Sequence, residues 1–349
     1  MKTTKKLLSL LLVFMLALTV LSLASCSNDA GKKDTETTDT QTNLEQPAPD
    51  TPTEPKPEKI KVLTLAGPTG IGLSKLIDDN AEKKTEYNYD FSIFSAPDQV
   101  NPEIIKGDYD IACVPVNLAS VLYNKTEGKL GVVGVNTLGV LYMLENGNTI
   151  NSIADLKGKT IYATGQGANP EYVLRYILAK NSIDPDKDVK IEFLADHAEL
   201  ATKLKENKVA IGMLPEPQVT SATMGSNARI ALDLTKEWDK VSDTALVQGC
   251  IIVNNEFASK YPSALKGFLE EYKKSVDFVN NNVDEAAALV EKAGIIPKAA
   301  IAKKAIPNCN ICLVTDKEAH VSIKDMLNIL FSANPSSVGG KLPDEEFYK

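Results

Sequence analysis

Few side chains in this sequence could carry out covalent chemistry: it has five cysteines and two histidines. Cys309 and Cys312 stand close together in "CNIC", whereas Cys113 and Cys250 are scattered. A zinc site would need a second pair at similar spacing, and none is present. A thioredoxin-like site would need Cys309 to open a helix, but "NICLV" predicts a short strand. The pattern favours buried free thiols or, in an exported protein, a structural disulfide.

The two histidines do not form a catalytic pattern. His197 opens the predicted helix "HAELATKL", and His320 lies in "DKEAHVSI", part of a late helical region. The sequence has neither a Gly-x-Ser-x-Gly elbow nor a His-Glu-x-x-His motif. We therefore predict that the protein is not an enzyme and that it uses no metal and no cofactor.

The fifth cysteine, Cys26, stands where apolar sequence gives way to polar sequence. Three lysines and an apolar run precede it, which is the pattern of a secretory signal, although the run is also long enough for a retained membrane helix. "LASC", residues 23–26, resembles the bacterial lipobox. That resemblance implies a signal peptide over 1–25 and lipid attachment at Cys26, where two or three acyl chains would hold the protein stably on a membrane.

The segment 26–58 predicts a disordered tether. It is rich in Thr, Asp, Glu, Lys and Pro, and Leu44 is its one large apolar residue. Such a segment cannot bury enough apolar surface to fold, and its Pro-rich end, "PAPDTPTEPKPEK", should be extended and stiff. We expect it to hold a globular body away from a membrane surface.

The body, from about residue 59 to 349, is long enough for two domains. The formal net charge of the chain is −8, and removing a signal that holds three lysines and no acids takes it from −8 to −11 with the new amine acylated. A chain this acidic is not suited to nucleic acid, so we expect no nucleic-acid partner.

Strand and helix patterns alternate through the body. Short β-rich runs such as "KIKVLTLAG", "YDIACVP", "KTIYATG" and "VAIGMLP" are separated by helical segments. In "NPEYVLRYILAKN", Asn169 can cap a helix, Pro170 suits its first position, and Glu171 can pair with Arg175. This alternation predicts βαβ units and an α/β fold with a largely parallel sheet covered by helices.

Two segments a hundred residues apart match without a gap. Residues 107–120 and 207–220 each run from a polar helix end through an apolar strand to a proline, Pro115 or Pro215, and then into a helix. Any two strand-to-helix turns can look alike in this way. The alternative is two similar α/β lobes whose matching turns face each other and line a cleft, because ligands bind at the carboxyl ends of strands in open α/β sheets.

Residues 148–222, with their "DLKGK" turn, Gly-rich turn, "DV" strand, "A..L" helix and strand ending in proline, resemble a known family. It comprises the nitrate, sulfonate, taurine and thiamine-precursor binding proteins of ABC importers, and the resemblance covers residues 60 to about 330. The ending "NPSSVGGKLPDEEFYK" is similar to a subset of such lipoproteins from Gram-positive bacteria. The resemblance implies the type 2 periplasmic binding protein fold, with two Rossmann-like lobes that close on a solute by hinge motion.

The resemblance also implies where the chain crosses between the lobes. The crossings should fall near residues 136–143 and 246–253, with Gly139 and Gly249 as hinge positions that need conformational freedom. Lobe 1 would then comprise 59–138 and 250–349, and lobe 2 would comprise 139–249.

Four turns should line the cleft between the lobes. Each opens a helix, and helix starts present free N–H groups that suit anions. "GPTGIG" in the first turn lacks both the Lys-Ser/Thr of a P-loop and the spacing of a dinucleotide-binding turn. The predicted ligand-binding residues are Gly67, Pro68, Thr69 and Gly70; Pro115, Val116 and Asn117; Gly165, Gln166, Gly167 and Ala168; and Pro215, Glu216 and Pro217.

Charge and aromatic residues favour a heterocycle as the solute. The chain has two arginines, Arg175 and Arg229, which we assign to Glu171 and to the start of the strand "RIALDL", so a guanidinium clamp on a free carboxylate is not expected. Glu216 could instead meet a cationic or hydrogen-bond-donating ring, or be solvated. Tyr142, Tyr162 and Trp238 could stack on a flat ligand or pack in the core or between the lobes.

The sequence predicts a lipid-anchored solute-binding protein on the extracytoplasmic face of the cell membrane. Its partners would be a small molecule, resembling a vitamin precursor or else a sulfonate- or nitrate-type anion, and an ABC permease with its ATPase. We expect a monomer that meets the membrane through its lipid alone. A surface adhesin or a sensor partner is the alternative, and an enzyme on the same fold is a further one.

Overall fold

The computed structural model describes residues 55–349. The predicted signal peptide, Cys26 and the predicted tether up to residue 54 lie outside the described residues. The last four residues of that tether, 55–58, have no helix or strand, and Lys56 forms an ion pair with Glu86, with Nζ and Oε1 3.7 Å apart.

The strands are β1 Ile60–Leu65, β2 Tyr89–Phe94, β3 Ile111–Pro115, β4 Leu130–Thr137, β5 Leu141–Glu145, β6 Thr160–Ala163, β7 Lys190–Phe193, β8 Ile211–Pro215, β9 Arg229–Asp233, β10 Gly249–Asn254 and β11 Ile311–Val314. The last of these is the strand that "NICLV" predicts.

The helices are α1 Pro68–Ile71, α2 Ser74–Ala81, α3 Pro97–Lys106, α4 Val116–Lys125, α5 Asn169–Lys180, α6 His197–Lys205, α7 Gln218–Thr223, α8 Leu234–Asp239, α9 Asn255–Lys260, α10 Pro262–Asn281, α11 Val283–Lys292, α12 Ala299–Ala305 and α13 Lys317–Ala333. Short 3₁₀ helices occupy Ile153–Leu156, Ile306–Asn308, Pro335–Val338 and Glu345–Phe347. Within residues 55–349, no helix combines the length and the apolar character needed to cross a bilayer.

The strands form two separate sheets. The first has the order β11-β4-β10-β3-β1-β2, and the second has the order β7-β6-β8-β5-β9. We call the elements around them the first lobe and the second lobe. The chain passes from the first sheet to the second between β4 and β5, and returns between α8 and β10.

The prediction of a largely parallel sheet is wrong, because both sheets are mixed. Parallel pairs join β1 to β2 and β3, and β6 to β7 and β8. However, β10 runs antiparallel to β3 and β4, and β5 runs antiparallel to β8 and β9. Each of these two strands is the first after a crossing, so the chain enters the sheet from the end at which the parallel strands finish.

The core of the described residues consists of three apolar clusters, formed where helices pack on the two sheets. Its largest fully buried side chains include Trp238, Tyr272, Phe268 and Phe347, each worth about 1.5–3 kcal/mol in apolar burial. Cys113, Cys250 and Cys309 are buried free thiols and Cys312 is a half-buried one. Of the two alternatives for the cysteines, the structure shows free thiols.

Candidate functional site

The two crossing segments lie side by side between the sheets. The N–H of Gln248, just before β10, donates to the carbonyl oxygen of Thr137, at the end of β4, at 3.0 Å. The two segments are hydrogen-bonded to each other and are the backbone connections between the two sheets. Any movement of one lobe relative to the other must therefore change the backbone conformation of these segments.

The turns after β3 and β8 are built alike. The N–H of Val116, which follows Pro115, donates to the oxygen of Gln248 at 3.0 Å. The N–H of Glu216, which follows Pro215, donates to the oxygen of Val140 at 3.0 Å. In each case the acceptor lies in a crossing, so both predicted turns face the region between the lobes.

The first predicted turn, after β1, lies against the second crossing. Gly67 has φ 100°, which favours glycine, and a Cβ on Gly70 would stand 2.6 Å from the oxygen of Leu65. The side chain of Asn136 donates to the oxygen of Thr69 at 3.2 Å, and the Thr69 methyl packs on Gly249. The first turn, the second turn and the second crossing therefore form one contact region.

The third predicted turn follows β6 in the second lobe. Gly165 and Gly167 have φ 74° and 73°, and Gln166 and Gly167 are exposed. The N–H of Gly167 donates to Oε2 of Glu171 at 2.7 Å, and Arg175 Nε lies 2.7 Å from Oε1 of the same carboxylate, as the sequence predicts.

The prediction that Asn169 caps α5 is wrong. Ala168, extended at φ −127° and ψ 178°, precedes the helix, and Asn169 is its first residue. The two glycines with positive φ turn the chain early enough for Asn169 to take helical geometry, and Glu171 supplies the side chain that holds the turn. The Asn169 side chain has no hydrogen-bond partner within residues 55–349.

The predicted hinge positions, Gly139 and Gly249, require glycine for a reason other than the predicted conformational freedom. Neither Gly139 nor Gly249 is among the described glycines with positive φ. Instead, a Cβ on Gly139 would stand 2.1 Å from Oγ1 of Thr235, and one on Gly249 would stand 2.6 Å from Oδ1 of Asn136. Close packing, not conformational freedom, requires them in this structure, and their hinge role stays a prediction.

Glu216 is a buried carboxylate at the start of the fourth turn. It is 1 % exposed, so the alternative that it is merely solvated is wrong. Its oxygens accept from the N–H and the hydroxyl of Thr220, both at 3.0 Å, and from Nδ2 of Asn308 at 3.1 Å. Burial raises the pKa of this carboxyl above its ordinary value, against the hydrogen bonds, which lower it.

Glu216 also lines a cavity of about 250 Å³. The walls come from α7 and β9 of the second lobe and from Lys304 and Asn308 of the first lobe. Groups from both lobes therefore line the cavity: a carboxylate, two threonine hydroxyls, a lysine, an asparagine and apolar side chains. Of the predicted ligand-binding residues, Glu216 lines this cavity, and the ligand-binding role of the whole set stays a prediction.

The aromatic side chains take packing roles. Trp238 is fully buried, packs against Tyr176 with ring centroids 4.8 Å apart and the rings tilted by 34°, and donates to the oxygen of Thr244 at 2.7 Å. Tyr142 is buried and donates its hydroxyl to the oxygen of Asn308 at 2.9 Å. Tyr162 is half-buried against the apolar cluster between the second sheet and α6.

The two arginines are both occupied by protein groups. Arg175 lies 2.7 Å from Glu171 and 2.7 Å from Asp186. Arg229 opens β9 and lies 2.7 Å from Glu145. The pairing of Arg175 with Glu171 and the position of Arg229 at the start of β9 are those that the sequence predicts, and the absence of a guanidinium clamp on the ligand stays a prediction.

Two other groups of titratable side chains in residues 55–349 have protein partners. His197 Nδ1 lies 2.5 Å from the Thr164 hydroxyl, and burial lowers the pKa of the imidazole. Asp78, Asp79 and Glu82 bring carboxylate oxygens within 4.8 Å of one another on α2. Each of the three forms an ion pair with a lysine, which accounts for the cluster without a metal.

Sequence reasoning missed a group of asparagines that join the lobes. Asn308 contacts both Tyr142 and Glu216, and Asn310 Nδ2 donates to the oxygen of Gly139 at 2.5 Å. Asn334 Nδ2 donates to the hydroxyl of Tyr172 at 3.0 Å. For Asn308 and Asn310, the signal in the sequence is the polar run "PNCN" just before a strand.

Solved structures of known proteins share this fold. An ABC transporter protein from Parabacteroides distasonis is 24% identical with a TM-score of 0.70, covering 84% of this chain and 99% of its own. The aliphatic sulphonate binding protein SsuA from Escherichia coli is 16% identical with a TM-score of 0.66, covering 83% and 93%. The nitrate-binding protein NrtA from Synechocystis is 13% identical with a TM-score of 0.55, covering 80% and 84%.

The fold is therefore that of type 2 periplasmic binding proteins, with two α/β lobes and two crossing segments. A comparison with curated protein sequences found no match. The family model described as NMT1/THI5 like matches residues 102–286, just over half of the chain, and the protein belongs to that family.

Proposed function

We propose that the protein is a lipid-anchored, extracytoplasmic solute-binding protein of an ABC importer. The observation that carries the proposal is the pair of lobes joined by two adjacent crossings, with Asn308 of the first lobe bonded to Tyr142 and Glu216 of the second. Polar groups from both lobes thus meet at one place, which is what a protein that closes on a small molecule requires.

The mechanism needs no covalent chemistry. An open form samples the medium, and the solute stabilises the closed form because it contacts both lobes. A solute shifts this equilibrium only by its differential affinity for the two forms. The permease and its ATPase would respond to the closed form, and the binding protein would act as a monomer.

The proposed cleft lies at the four predicted turns, and the lobes are taken as 59–138 with 250–349 and 139–249. Contacts among the first two turns and the second crossing support this placement, as does the bond from Glu216 to Val140 in the first crossing. Gly139 and Gly249 stand where relative movement of the lobes would have to occur.

The favoured solute is a small heterocycle, with a sulfonate- or nitrate-type anion as the second class. The buried carboxylate of Glu216 supports a neutral or cationic group, because a carboxylate repels anions and attracts hydrogen-bond donors. Both arginines are engaged by acidic side chains, which leaves no guanidinium for an anion in the described part of the chain.

Lipid attachment at Cys26 completes the proposal. A Cys26→Ala protein should leave the membrane fraction and appear in the medium, because the acyl chains would be lost. Retention of this variant in the membrane fraction would contradict lipid anchoring and support an uncleaved helix.

Thermal-shift measurements on residues 27–349 test the binding function. The panel is cytosine, uracil and nicotinamide as uncharged ring compounds, and ethanesulfonate and nitrate as anions. A true solute at a hundred times its Kd stabilises the folded state by about 2.7 kcal/mol, and each kcal/mol raises Tm by roughly 2 °C, the lower end of the range for somewhat smaller proteins. We expect at least one ring compound to give such a shift; no shift with any compound would contradict the proposal.

A further inference from the structure

The side chain of Asn169 is buried and forms no hydrogen bond within residues 55–349. It is 5 % exposed, and neither its Nδ2 nor its Oδ1 has a hydrogen-bond partner among the described residues. Leaving a buried polar group unpaired costs about 1–3 kcal/mol, so such a group calls for a physical reason.

The face of α5 that carries Asn169 looks toward the first lobe. Residues three apart on a helix are surface neighbours, and Tyr172 lies three residues after Asn169. The Tyr172 hydroxyl accepts a hydrogen bond from Asn334, which follows α13 and belongs with the first lobe. Asn169 also directly follows the third predicted turn, at the carboxyl end of β6. It therefore stands at the interlobe end of the second lobe.

Two more unpaired polar atoms lie at the crossings. Nε2 of Gln248 is buried without a partner, while the backbone of Gln248 bonds both Thr137 and Val116. Oγ1 of Thr235 is also buried without a partner, and it lies against Gly139 of the other crossing. Unpaired donors and acceptors thus occur on the second crossing, on α8 where it lies against the first crossing, and on the helix that faces the opposite lobe.

The charges around Asn169 favour an uncharged ligand group. An anion would normally gain from the free N–H groups at the start of α5. Here the carboxylate of Glu171 already accepts the N–H of Gly167, and Arg175 balances Glu171. The start of α4 is also occupied, because the N–H of Val116 donates to Gln248.

We propose that Asn169 and Gln248 are specificity-determining contacts of the solute, and that the solute presents to Asn169 an uncharged group with an adjacent hydrogen-bond donor and acceptor. A carboxamide pairs in both directions with a lactam, urea or amide edge, because it offers one donor group and one acceptor group side by side. Gln248 adds a donor for a second acceptor on the same molecule. The inference rests on the proposed function and narrows its solute class.

The test compares stability and affinity in matched variants of residues 27–349. Asn169→Leu and Gln248→Met keep the side-chain size and remove the polar atoms. Asn146→Leu is the control, since Asn146 also has an unpaired oxygen but lies after β5 at the opposite end of the same sheet, where it donates to Leu204 and Val209. Binding of cytosine, uracil, nicotinamide, ethanesulfonate and nitrate is measured by titration calorimetry.

Asn169→Leu should have opposite effects on stability and on solute binding. Without solute, Asn169→Leu should melt at the same temperature as the parent protein or higher, because an unpaired amide has been removed. Its affinity for the ring compound that binds should fall at least tenfold, and Gln248→Met should also lower the affinity for that compound. Asn146→Leu should melt lower and bind as the parent does. Gln248→Met keeps the proposal testable if Asn169→Leu does not fold.

Three outcomes would overturn the proposal. If a ring compound binds and neither variant changes its affinity by more than twofold, the two residues are not solute contacts, although the transport function stands. If the parent protein binds ethanesulfonate or nitrate alone, the uncharged edge is wrong and the function again stands. If no compound binds, the inference falls together with the proposed function.

Discussion

The turn after β3 and the turn after β8 share a backbone and differ in one side chain. Pro115 pairs with Gly249 and Pro215 pairs with Leu141, each in the strand that follows a crossing. The next residue donates its N–H to a crossing in both turns. That residue is the fully buried Val116 in one lobe and the carboxylate Glu216 in the other.

The difference shows how one scaffold provides both a rigid and a polar contact. Val116 begins α4 at once and packs in the core, so the first lobe presents a fixed helix start. Glu216 and Pro217 come before α7, and the carboxylate bonds Asn308 of the opposite lobe. The backbone match sets where the lobes meet, and under the proposed function the side chain at this position would determine what binds there.

The largest effect should come from placing a carboxylate at the matching position. Val116→Glu would bury a carboxylate without hydrogen-bond donors to pair with it. We expect this to lower the free energy of unfolding by about 3–5 kcal/mol. The reciprocal Glu216→Val removes the acceptor of the Thr220 N–H and hydroxyl and one acceptor of Asn308, and should cost about 1–3 kcal/mol. Urea denaturation measures both. Equal losses in the two variants would mean that the turns are interchangeable.

Adding a methyl group at either crossing should have the next largest effect. Gly139→Ala and Gly249→Ala would force a Cβ within 2.1 Å of Thr235 and 2.6 Å of Asn136, and we expect each to cost about 1–3 kcal/mol. Gly131→Ala in β4 is the control, because the atoms closest to its new Cβ are Cγ and Cε of the long, flexible Lys349 side chain. Thermal unfolding that ranks Gly131→Ala as the most damaging would show that the crossings are not tightly packed.

Stability should depend on pH through Glu216, whereas Val116 at the matching position has no titratable group. Burial raises the pKa of Glu216 in the folded state, so the folded state holds this proton at a pH where the unfolded state has released it. Its stabilising contribution is full below the ordinary pKa of 4.5 and is lost as pH rises through the higher folded value.

Urea denaturation of the parent protein and Glu216→Gln from pH 4 to pH 7 measures this contribution. The stability of the parent relative to the variant should fall with rising pH and then level off. A difference that stays constant, or that grows with pH, would show that Glu216 is not the group responsible.

The smallest effect should come from one hydrogen bond between the lobes. Tyr142→Phe removes the donor to Asn308 and should cost about 0.5–1.5 kcal/mol. Tyr176→Phe is the control, since its ring packs on Trp238 within the second lobe. Equal melting temperatures for the two variants would argue that the Tyr142 bond adds nothing to the contact between the lobes.

The parts of the molecule that depend on local pattern were predictable from the sequence. Period and turn residues predicted the strands ending at Pro115 and Pro215 and the pairing of Glu171 with Arg175. The antiparallel direction of β5 and β10 could not be predicted from local pattern. It follows from the path of the chain between the two sheets and not from any residue in those strands.

The contacts between the lobes were harder to predict for the same reason. Asn308 meets Glu216 from 92 positions away, and nothing near either residue in the sequence signals the partner. The sequence predicts Asn169 as a helix cap, because asparagine is a preferred cap residue and Pro-Glu after it is typical of the first turn of a helix. Its true position depends on two glycines with positive φ in the preceding turn.

The most direct test of the account is native mass spectrometry of freshly purified residues 27–349. The folded protein should carry one extra mass that is lost on denaturation and that belongs to an uncharged ring compound, because the lobes close on a single small solute. A folded protein that carries no extra mass, and whose Tm none of the panel compounds raises, would contradict the claim that this cleft captures a solute.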